Sequence, residues 1–431
     1  MTTASAISDR RPVSIRQVVL ASFIGTTVEW YDFFIYGTSA ALVFNKLFFP
    51  RVDPLIGTLS SYGTFFVGFL ARPLGGIIFG HFGDRVGRKA MLVWSLVLMG
   101  IATTLIGFVP TYDAIGIWAP VLLTVLRFAQ GVGVGGEWGG AVLMAVEHSG
   151  GPRRGFHASW PQMGVPAGSL LSTGMFALFS STLSEQQFLS WGWRLPFLLS
   201  AVLIAVGLFI RLRILETPAF AKLKENRREA KTPLVEVFRR HPREVVLGLG
   251  MRFAQNAMYY IYTVFVLSYG ERSLGYPKST MLGAVAVAAA LGLFSIPLWA
   301  HLSDKIGRRP VYLAGAIFSM LFALPFFLLM QRGSPALVVV ALVLGMNVGH
   351  DLTYGPQAAY FAELFSTGVR YSGASLIYQL ASLWGGLAPL LATLLLAKYG
   401  IVAVAAYLSA SCAVTVVATL LAPETHRREI G

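Results

Sequence analysis

Long apolar stretches dominate this 431-residue chain and constrain its fold more than any other feature. A helix that crosses a lipid bilayer needs about 20 consecutive, mostly apolar residues, and the sequence contains twelve such stretches. They lie near residues 18–44, 56–80, 90–109, 117–145, 156–182, 192–212, 244–269, 280–300, 310–331, 335–361, 371–397 and 400–421. The sequence therefore predicts an all-α polytopic membrane protein with twelve transmembrane helices.

The composition agrees with this prediction. Charged residues make up 13% of the chain, whereas soluble globular proteins are about 25% charged. The N-terminal residues 1–17 are polar, and the apolar run that follows is too long for a signal peptide, so we expect the first helix to be retained. The single cysteine, Cys412, excludes an intramolecular disulfide bond.

The net charge of +14 is distributed unevenly along the chain. Most Lys and Arg residues lie in the N-terminal tail and in alternate loops, while the opposite loops carry few. This is the positive-inside pattern, and it predicts that both termini are cytoplasmic. The basic charge therefore reflects topology, and we expect no nucleic-acid partner.

A short basic motif occurs twice. Residues Gly80-His-Phe-Gly-Asp-Arg-Val-Gly-Arg-Lys89 and Ala300-His-Leu-Ser-Asp-Lys-Ile-Gly-Arg-Arg309 share a His, an Asp, a Gly and two final cations. A short glycine-containing turn between apolar stretches predicts a tight hairpin. Asp84 and Asp304 are 220 positions apart, and a repeat at half the chain length indicates two similar halves.

The one long hydrophilic stretch, residues 211–243, lies between the two halves. Its mixed charges predict a cytoplasmic linker with one or two short surface helices. We therefore expect an N-terminal six-helix bundle at residues 1–210 and a C-terminal six-helix bundle at residues 244–431.

The two motifs resemble the loop signature that the major facilitator superfamily carries after its second and eighth helices. The matching residues are Gly80, Asp84, Arg85, Gly87, Arg88, Lys89, Asp304, Gly307, Arg308 and Arg309, with Ala300 in place of the leading glycine. Residues 28–34, 71–76, 131–140 and 354–357 resemble one branch, the metabolite:proton symporters of proline or betaine, shikimate, α-ketoglutarate and citrate. The resemblance implies two pseudo-symmetric bundles with a substrate site between them at the membrane midplane.

The resemblance also implies a conformational latch on the cytoplasmic side. Its residues would be Gly80, Asp84, Arg85, Gly87, Arg88 and Glu147 in the first half and Asp304, Gly307, Arg308, Glu363 and Arg370 in the second. We expect Asp84 beside the N-terminus of the eleventh helix, where the helix dipole favours a carboxylate. The alternative is that these residues only anchor the topology.

Three charged residues lie near the middle of predicted spans, where a charge is costly and indicates function. Glu29 and Asp32 are three residues apart on one face of the first span, and Arg127 lies in the fourth. We expect a carboxylate to pair with Arg127, so that a proton or an anionic substrate breaks the pair. Arg127 with Gln130 also resembles the superfamily's fourth-helix signature, whose arginine is linked to proton transfer. A static ion pair that fixes packing is the alternative.

His350 and Asp351 are adjacent in the tenth span. A histidine titrates near neutral pH, so the pair suits a proton relay, but a packing or hydrogen-bonding role fits equally well. We expect no metal site because no further ligands cluster at a suitable spacing.

The predicted substrate site combines polar and aromatic residues from both halves. Arg252, Asn256, Tyr259 and Tyr260 share one side of the seventh span, and their donors suit a carboxylate. The remaining candidates are Tyr36, Arg127, Gln162, Tyr378 and Gln379. Arg72 is assigned first to structure or gating and second to substrate binding.

These features favour a secondary active transporter and not an enzyme. Because no nucleotide-binding motif lies in a suitable context, we expect no cofactor and a proton gradient as the energy source. The leading hypothesis is proton-coupled symport (uptake) of a small organic acid or zwitterionic metabolite by alternating access. We expect a monomer in the bilayer of the bacterial cytoplasmic (inner) membrane. The alternative is a proton-driven antiporter that exports a small organic compound.

Overall fold

Twelve long helices form the protein in a computed structural model that describes residues 15–86, 88–135, 142, 146, 153–213, 233–366 and 369–427. Ten of them are α1 (Ile15–Leu42), α2 (Pro54–Val86), α3 (Arg88–Ile106), α4 (Trp118–Gly135), α5 (Arg154–Thr182), α6 (Leu195–Arg213), α8 (Lys278–Ile306), α9 (Arg308–Met330), α11 (Arg370–Tyr399) and α12 (Ile401–Leu421). The predicted apolar stretches coincide with these helices apart from several residues at their ends, and residues 136–141 and 143–145 of the predicted fourth stretch lie outside the described residues.

The remaining two long helices, α7 and α10, each contain a π-helical segment. Helix α7 comprises Pro242–Tyr260, the π-helical Ile261–Phe265 and Val266–Arg272. Helix α10 comprises Pro335–Val343, the π-helical Leu344–His350 and Asp351–Leu364. In a π-helical segment the backbone hydrogen bonds join residues five apart instead of four, and such segments occur frequently at functional sites. The amino-acid pattern of the two helices does not predict these segments.

Short helices connect or flank the long ones. They are Phe44–Leu47, Tyr112–Ile115, Glu185–Ser190, the 3₁₀ turn Gly192–Arg194 and Pro233–Arg240. The last of these lies in the predicted linker, and residues 214–232 of that linker lie outside the described residues.

Nine helices in the described part of the chain are long and apolar enough to cross a membrane. They correspond to α2, α4, α5, α6 and α8 to α12. Helices α1 and α7 are not in this set, and each contains a buried charged residue, such as Asp32 in α1 and Arg252 in α7. Helix α3 has only a shorter apolar segment, Val93–Ile106. All three pack among the other helices of the bundle.

The helix contacts repeat between the halves. Helix α1 packs on α5, α2 on α4 and α3 on α6; correspondingly α7 packs on α11, α8 on α10 and α9 on α12. Two extensive contacts join the halves, α5 with α8 and α2 with α11, and they are equivalent under the same repeat. This pattern is that of two pseudo-symmetric six-helix bundles, as the repeated motif predicts.

The second basic motif forms a one-residue turn. Helix α8 ends at Ile306 and α9 begins at Arg308, so Gly307 alone reverses the chain, with a φ of 110°. An L side chain rarely adopts this conformation, and a Cβ here would also lie 2.6 Å from Oε2 of Glu424. Both observations explain the glycine.

Candidate functional site at the interface of the two halves

Arg127 lies at the centre of the first bundle and is surrounded by aromatic rings. Its guanidinium carbon is 4.1 Å from the ring centroid of Phe33, 4.3 Å from that of Tyr36 and 4.8 Å from that of Phe65. It donates a hydrogen bond to Gln130, while its Nη2 is buried with no hydrogen-bond partner. Cation–π contacts therefore replace much of the lost hydration of this cation.

Asp32 is fully buried on α1, but its partner is a hydroxyl group and not a cation. Ser200 donates to Oδ1 over 2.5 Å, and Oδ2 has no hydrogen-bond partner. Among the described residues, neither Asp32 nor Arg127 forms an ion pair within 4 Å, so the expected pairing of these two residues is not present. The reason is Gln130, which lies between them and donates to the backbone carbonyl of Asp32 over 2.8 Å. Glu29 is also buried.

Arg72 on α2, for which a structural or gating role is the first expectation, is a second buried guanidinium group. Its guanidinium carbon is 5.3 Å from the ring centroids of both Trp30 and Phe33 and 5.7 Å from that of Phe69. Nε and Nη2 of Arg72 are buried with no hydrogen-bond partner. Arg72 therefore belongs to the same central cluster as Arg127.

Arg252 occupies the corresponding region of the second bundle. It donates to Oε1 of Gln357 over 2.6 Å and to Oδ1 of Asn256 over 3.4 Å. Its guanidinium carbon lies 3.4 Å from the ring centroid of Tyr378, and the same ring is 6.0 Å from the guanidinium carbon of Arg72. Tyr378 thus lies between an arginine of each half.

The predicted face of α7 is buried and contacts the first bundle. The ring of Tyr260 lies 5.1 Å from that of Phe69, and the ring of Tyr259 lies 5.4 Å from that of Phe34. Asn256 is buried beside Arg252. The structure therefore brings these predicted residues together at the interface of the halves.

His350 and Asp351 form a hydrogen-bonded pair at the end of the π-helical segment of α10. Nδ1 of His350 is 2.8 Å from Oδ1 of Asp351, and Oδ2 of Asp351 accepts from Ser295 over 2.5 Å and from Asn347 over 3.0 Å. Nε2 of His350 contacts the side-chain amide of Gln255. The carboxylate is therefore held by neutral donors and by the imidazole.

The other predicted polar residues form specific hydrogen bonds. Tyr36 donates to Thr64 over 2.8 Å within the first bundle. Gln162 on α5 donates to the backbone carbonyl of Tyr354 on α10 over 2.5 Å, and Gln379 on α11 donates to that of Gly135 on α4 over 2.8 Å. The two glutamines therefore join the halves, and their pairs of helices are equivalent under the internal repeat.

The second half of the predicted latch is assembled at one face of the protein. Asp304 at the end of α8 accepts hydrogen bonds from the backbone N–H groups of Gly155 and Phe156, each over 2.9 Å, where α5 begins. Arg308 donates to Asp304 over 2.6 Å and to Glu363 over 3.2 Å. A helix N-terminus with its dipole stabilises a carboxylate in this position.

Arg370, which the latch prediction includes, donates to the backbone carbonyl of Ala362 over 3.0 Å. Two residues that the latch prediction did not include, Thr425 and Glu424, complete this cluster. Thr425 donates to Glu363 over 2.6 Å. Glu424 accepts from the backbone N–H groups of Arg308 and Arg309 where α9 begins. Burial raises the pKa of Glu424, whereas the hydrogen bonds from backbone N–H groups to its carboxylate lower it. The second effect is the larger in total, so the pKa of Glu424 lies below the ordinary value.

The first half of the latch is described only in part. Gly80, Asp84 and Arg85 lie in α2, and Arg88 begins α3, but their side chains lie outside the described part of the structure. Gly87 and Glu147 also lie outside it. The predicted contact of Asp84 with α11 therefore stays a prediction.

The opposite face is also bridged between the halves. Arg272 at the end of α7 donates to Oγ1 of Thr58 on α2, and one turn deeper the hydroxyl groups of Tyr62 and Ser268 are 2.7 Å apart. Glu185 contacts Lys46 over 3.2 Å and Lys278 over 3.5 Å, and these lysines lower its pKa. The described residues thus join the halves at both faces, with the arginine and aromatic cluster between.

Comparison with known proteins identifies related sequences and folds. The family model of the Major Facilitator Superfamily matches residues 22–389. The chain is similar to the inner membrane metabolite transport protein YhjE of Escherichia coli (strain K12), with 42% identity covering 100% of this chain and 99% of the relative. It is also similar to the shikimate transporter of the same organism, with 42% identity covering 96% and 95%. A solved structure of the proton:xylose symporter XylE has the same fold, with a TM-score of 0.74 and 16% identity covering 95% and 96%.

Proposed function

This chain belongs to the major facilitator superfamily and is a multi-pass membrane transporter, not an enzyme, and we propose that it takes up a small organic acid or zwitterionic metabolite together with protons. Alternating access of the two bundles to the two sides of the membrane would carry the substrate. The similarity to a shikimate transporter supports an organic acid as substrate.

The observation that carries this proposal is the separation of the buried charges. The guanidinium groups of Arg72 and Arg127 are buried among aromatic rings and form no ion pair with a described carboxylate, and Nε and Nη2 of Arg72 lack partners. A buried cation without a counter-ion is costly. The carboxylate of a substrate would supply the missing acceptors, with Arg252 contributing from the other half.

Asp32 is the strongest candidate for the proton-binding group. It is fully buried, and its carboxylate accepts a hydrogen bond from the neutral hydroxyl group of Ser200. Burial without a cation favours the protonated form of a carboxylic acid. Protonation would therefore accompany the closed arrangement, and ionisation would require water at Asp32.

Gln130 offers a connection between the two sites. It accepts a hydrogen bond from Arg127 and donates to the backbone of Asp32 over 2.8 Å. A shift of Arg127 towards a bound anion would break or move this contact and displace α1 at Asp32. Coupling would thus run through Gln130 and not through a direct ion pair.

His350 and Asp351 are a second candidate for proton binding. Nδ1 of His350 lies 2.8 Å from Oδ1 of Asp351, and a histidine beside a carboxylate suits a proton relay.

We further propose that the face with Asp304 is cytoplasmic, in accordance with the basic loops, and that the protein lies in the cytoplasmic (inner) membrane with both termini inside. The name of the YhjE relative supports that membrane.

Uptake into proteoliposomes under an imposed inward proton gradient tests this proposal. The substrates would be shikimate, α-ketoglutarate, citrate, a simple aromatic acid, proline and betaine, each with and without a protonophore. Accumulation of one compound that the protonophore abolishes is the expected result. If preloaded substrate instead leaves faster under the same gradient, the protein is an exporter and the proposal is wrong.

A further inference from the structure

Helices α8 and α10 surround one side-chain amide with oxygen atoms. Nδ2 of Asn347 on α10 lies 3.0 Å from the backbone carbonyl oxygen of Ala288 and 3.2 Å from Oγ of Ser295, both on α8. The same nitrogen lies 3.0 Å from Oδ2 of Asp351. Asn347 and Asp351 are both buried. An amide nitrogen has only two N–H groups, so three oxygens converge on two donors.

The π-helical segment of α10 produces this arrangement. The backbone N–H of Asp351 bonds to the carbonyl oxygen of Met346, five residues earlier, where an α-helix would use that of Asn347. The carbonyl oxygen of Asn347 instead accepts from Nε1 of Trp299 on α8 over 2.7 Å. Spacing along α10 alone does not reveal the oxygen set, because two of its members belong to α8.

The carboxylate of Asp351 lies among neutral groups. Ser295 and Asn347 donate to Oδ2, and Nδ1 of His350 is 2.8 Å from Oδ1. Nε2 of His350 lies 2.6 Å from Nε2 of Gln255, an atom that can only donate, so this ring nitrogen accepts and the imidazole is neutral. Three donors to one carboxylate suit its ionised form. A buried negative charge in neutral surroundings is costly and favours a bound cation.

Rotation of the Asn347 amide by 180° converts the oxygen set into a set of cation ligands. Its Oδ1 is buried with no hydrogen-bond partner among the described residues. The rotation would bring it to the place of Nδ2, within 3.0–3.2 Å of the other three oxygens. Neighbouring oxygens around a Ca²⁺ ion, at a metal–oxygen distance of about 2.4 Å, are about 3.4 Å apart. Na⁺ has nearly the same radius as Ca²⁺, whereas the larger K⁺ requires wider spacing.

We propose that a Na⁺ ion binds between α8 and α10, held by the carboxylate of Asp351, the amide oxygen of Asn347, the hydroxyl group of Ser295 and the carbonyl oxygen of Ala288. Carboxylate, amide and carbonyl oxygens are the ligands that hard cations prefer. The single carboxylate balances one positive charge, which favours a monovalent ion. This site goes beyond the proposed function and does not rest on it, because binding is measured without transport.

The site lies directly behind the contact between the two halves. A Cβ at Gly292 of α8 would be 3.7 Å from Nδ2 of Asn347 on one side and 3.0 Å from Cβ of Pro166 on the other. Pro166 belongs to α5, so only the backbone of α8 separates the ion from the first half. A bound ion would hold α8 against α10 and thereby position the surface on which α5 packs.

Thermal unfolding of the purified protein in detergent, at constant pH, tests the site. NaCl, KCl and choline chloride are compared at equal ionic strength, so that general screening is the same in each. We expect Na⁺ to raise the unfolding midpoint by about 2 °C or more and in a saturable way, because a ligand that binds only the folded protein stabilises it. K⁺ and choline should have little effect. The dependence on Na⁺ concentration gives the half-saturating value.

Three variants locate the response. Ser295→Ala removes one oxygen ligand and should raise the half-saturating Na⁺ concentration roughly 10-fold. Asp351→Asn removes the negative charge and should abolish the response. Ser409→Ala on α12 is the matched control, because Ser409 is also half-buried in the second half but donates to the carbonyl oxygen of Met320 over 2.9 Å; it should respond as the parent protein does. A cooperative transition in choline chloride shows that a variant is folded.

The outcomes are distinct from those of the uptake experiment. An identical midpoint in all three salts, or a larger rise with K⁺ than with Na⁺, would overturn the inference. An unchanged half-saturating concentration in Ser295→Ala would overturn the placement of the ion, even if Asp351→Asn does not fold. Failure of proton-driven uptake in the proteoliposome panel would overturn the proposed function and leave a Na⁺ response of the purified protein standing.

Discussion

The carboxylate of Asp304 in the second half accepts a hydrogen bond over 2.9 Å from the backbone N–H of Gly155 in the first half. The same carboxylate accepts from Phe156 and from Arg308, so the end of α8 caps the beginning of α5. This contact ties the two bundles together at one face. In the other half of the repeat, the equivalent contact is the one predicted between Asp84 and α11.

Replacing Asp304 with Asn should favour opening of this face. The amide has one acceptor oxygen and no charge, and hydrogen bonds to charged groups contribute about 1.5–3 kcal/mol, so we expect roughly a 10-fold shift towards the open state. The measurement is the rate at which an impermeant maleimide labels Ser159→Cys in a Cys412→Ala background. Ser159 is fully buried in the closed arrangement.

The control for this variant is Asp53→Asn, which removes an exposed carboxylate next to the start of α2. It should leave the labelling rate unchanged. Equal labelling rates in Asp304→Asn and in the parent protein would show that the cap does not hold this face closed.

Gly155→Ala should open the same face by steric means. A Cβ at this position would lie 2.8 Å from Oδ1 of Asp304 and closer still to Arg308, so the cap has to move. Gly174→Ala on the same helix is the matched control, since a Cβ there meets nothing within 4 Å and alanine favours the helix. The same labelling assay should show faster labelling only for Gly155→Ala; identical rates would contradict the geometry.

Arg72→Gln should raise the KM for uptake by at least 10-fold, because the substrate carboxylate loses a buried charged partner. Arg72→Lys should recover little of this loss, since an ammonium group cannot form two parallel hydrogen bonds to a carboxylate. Initial uptake rates over a range of substrate concentrations measure the effect. Arg332→Gln, at an exposed loop position, controls for the loss of one positive charge, and an unchanged KM in Arg72→Gln would remove Arg72 from the site.

Asp32→Asn should abolish proton-driven accumulation and retain exchange of labelled for unlabelled substrate. An amide is neutral like the protonated acid but cannot release a proton, so transport proceeds without coupling. Uptake under a proton gradient and counterflow without one are the two measurements, with the exposed Asp113→Asn as control. Gradient-driven accumulation by Asp32→Asn would exclude this residue as the coupling group.

Glu424→Gln should remove a pH-dependent contribution to stability. The pKa of Glu424 lies below its ordinary value, so the ionised carboxylate stabilises the fold above the ordinary glutamate pKa of about 4.3, and this contribution is lost as the pH falls through the lower folded value. Thermal unfolding in detergent should show a steeper loss of stability below about pH 5 for the parent protein than for Glu424→Gln. Parallel curves would contradict the assignment.

Two patterns in the sequence predicted the fold well, because neither requires knowledge of which helices contact each other. Apolar stretches of helical length located the spans, and the repeated motif located the equivalent turns, one of which is the turn at Gly307. The same reasoning placed Arg252, Asn256, Tyr259 and Tyr260 on one side of α7, since helical spacing alone determines a shared face.

The partners of the buried charges could not be predicted in the same way. Asp32 and Ser200 are separated by 168 positions and Arg252 and Gln357 by 105, and depth in the membrane does not specify which way a neighbouring helix is rotated. Asp32 and Arg127 have similar depths, yet Gln130 lies between them. The aromatic rings around Arg72 were likewise indistinguishable in sequence from ordinary packing residues.

The paired bonds of Gln162 and Gln379 have a consequence for how sequence change is tolerated. Each glutamine donates to a main-chain oxygen, that of Tyr354 or of Gly135, which every amino acid possesses. The donor positions therefore need an amide, whereas a replacement at an acceptor position keeps the bond as long as the helix keeps its path. In a saturation library, intolerance at positions 162 and 379 would report the bond itself, and intolerance at 135 or 354 would report the packing around the residue.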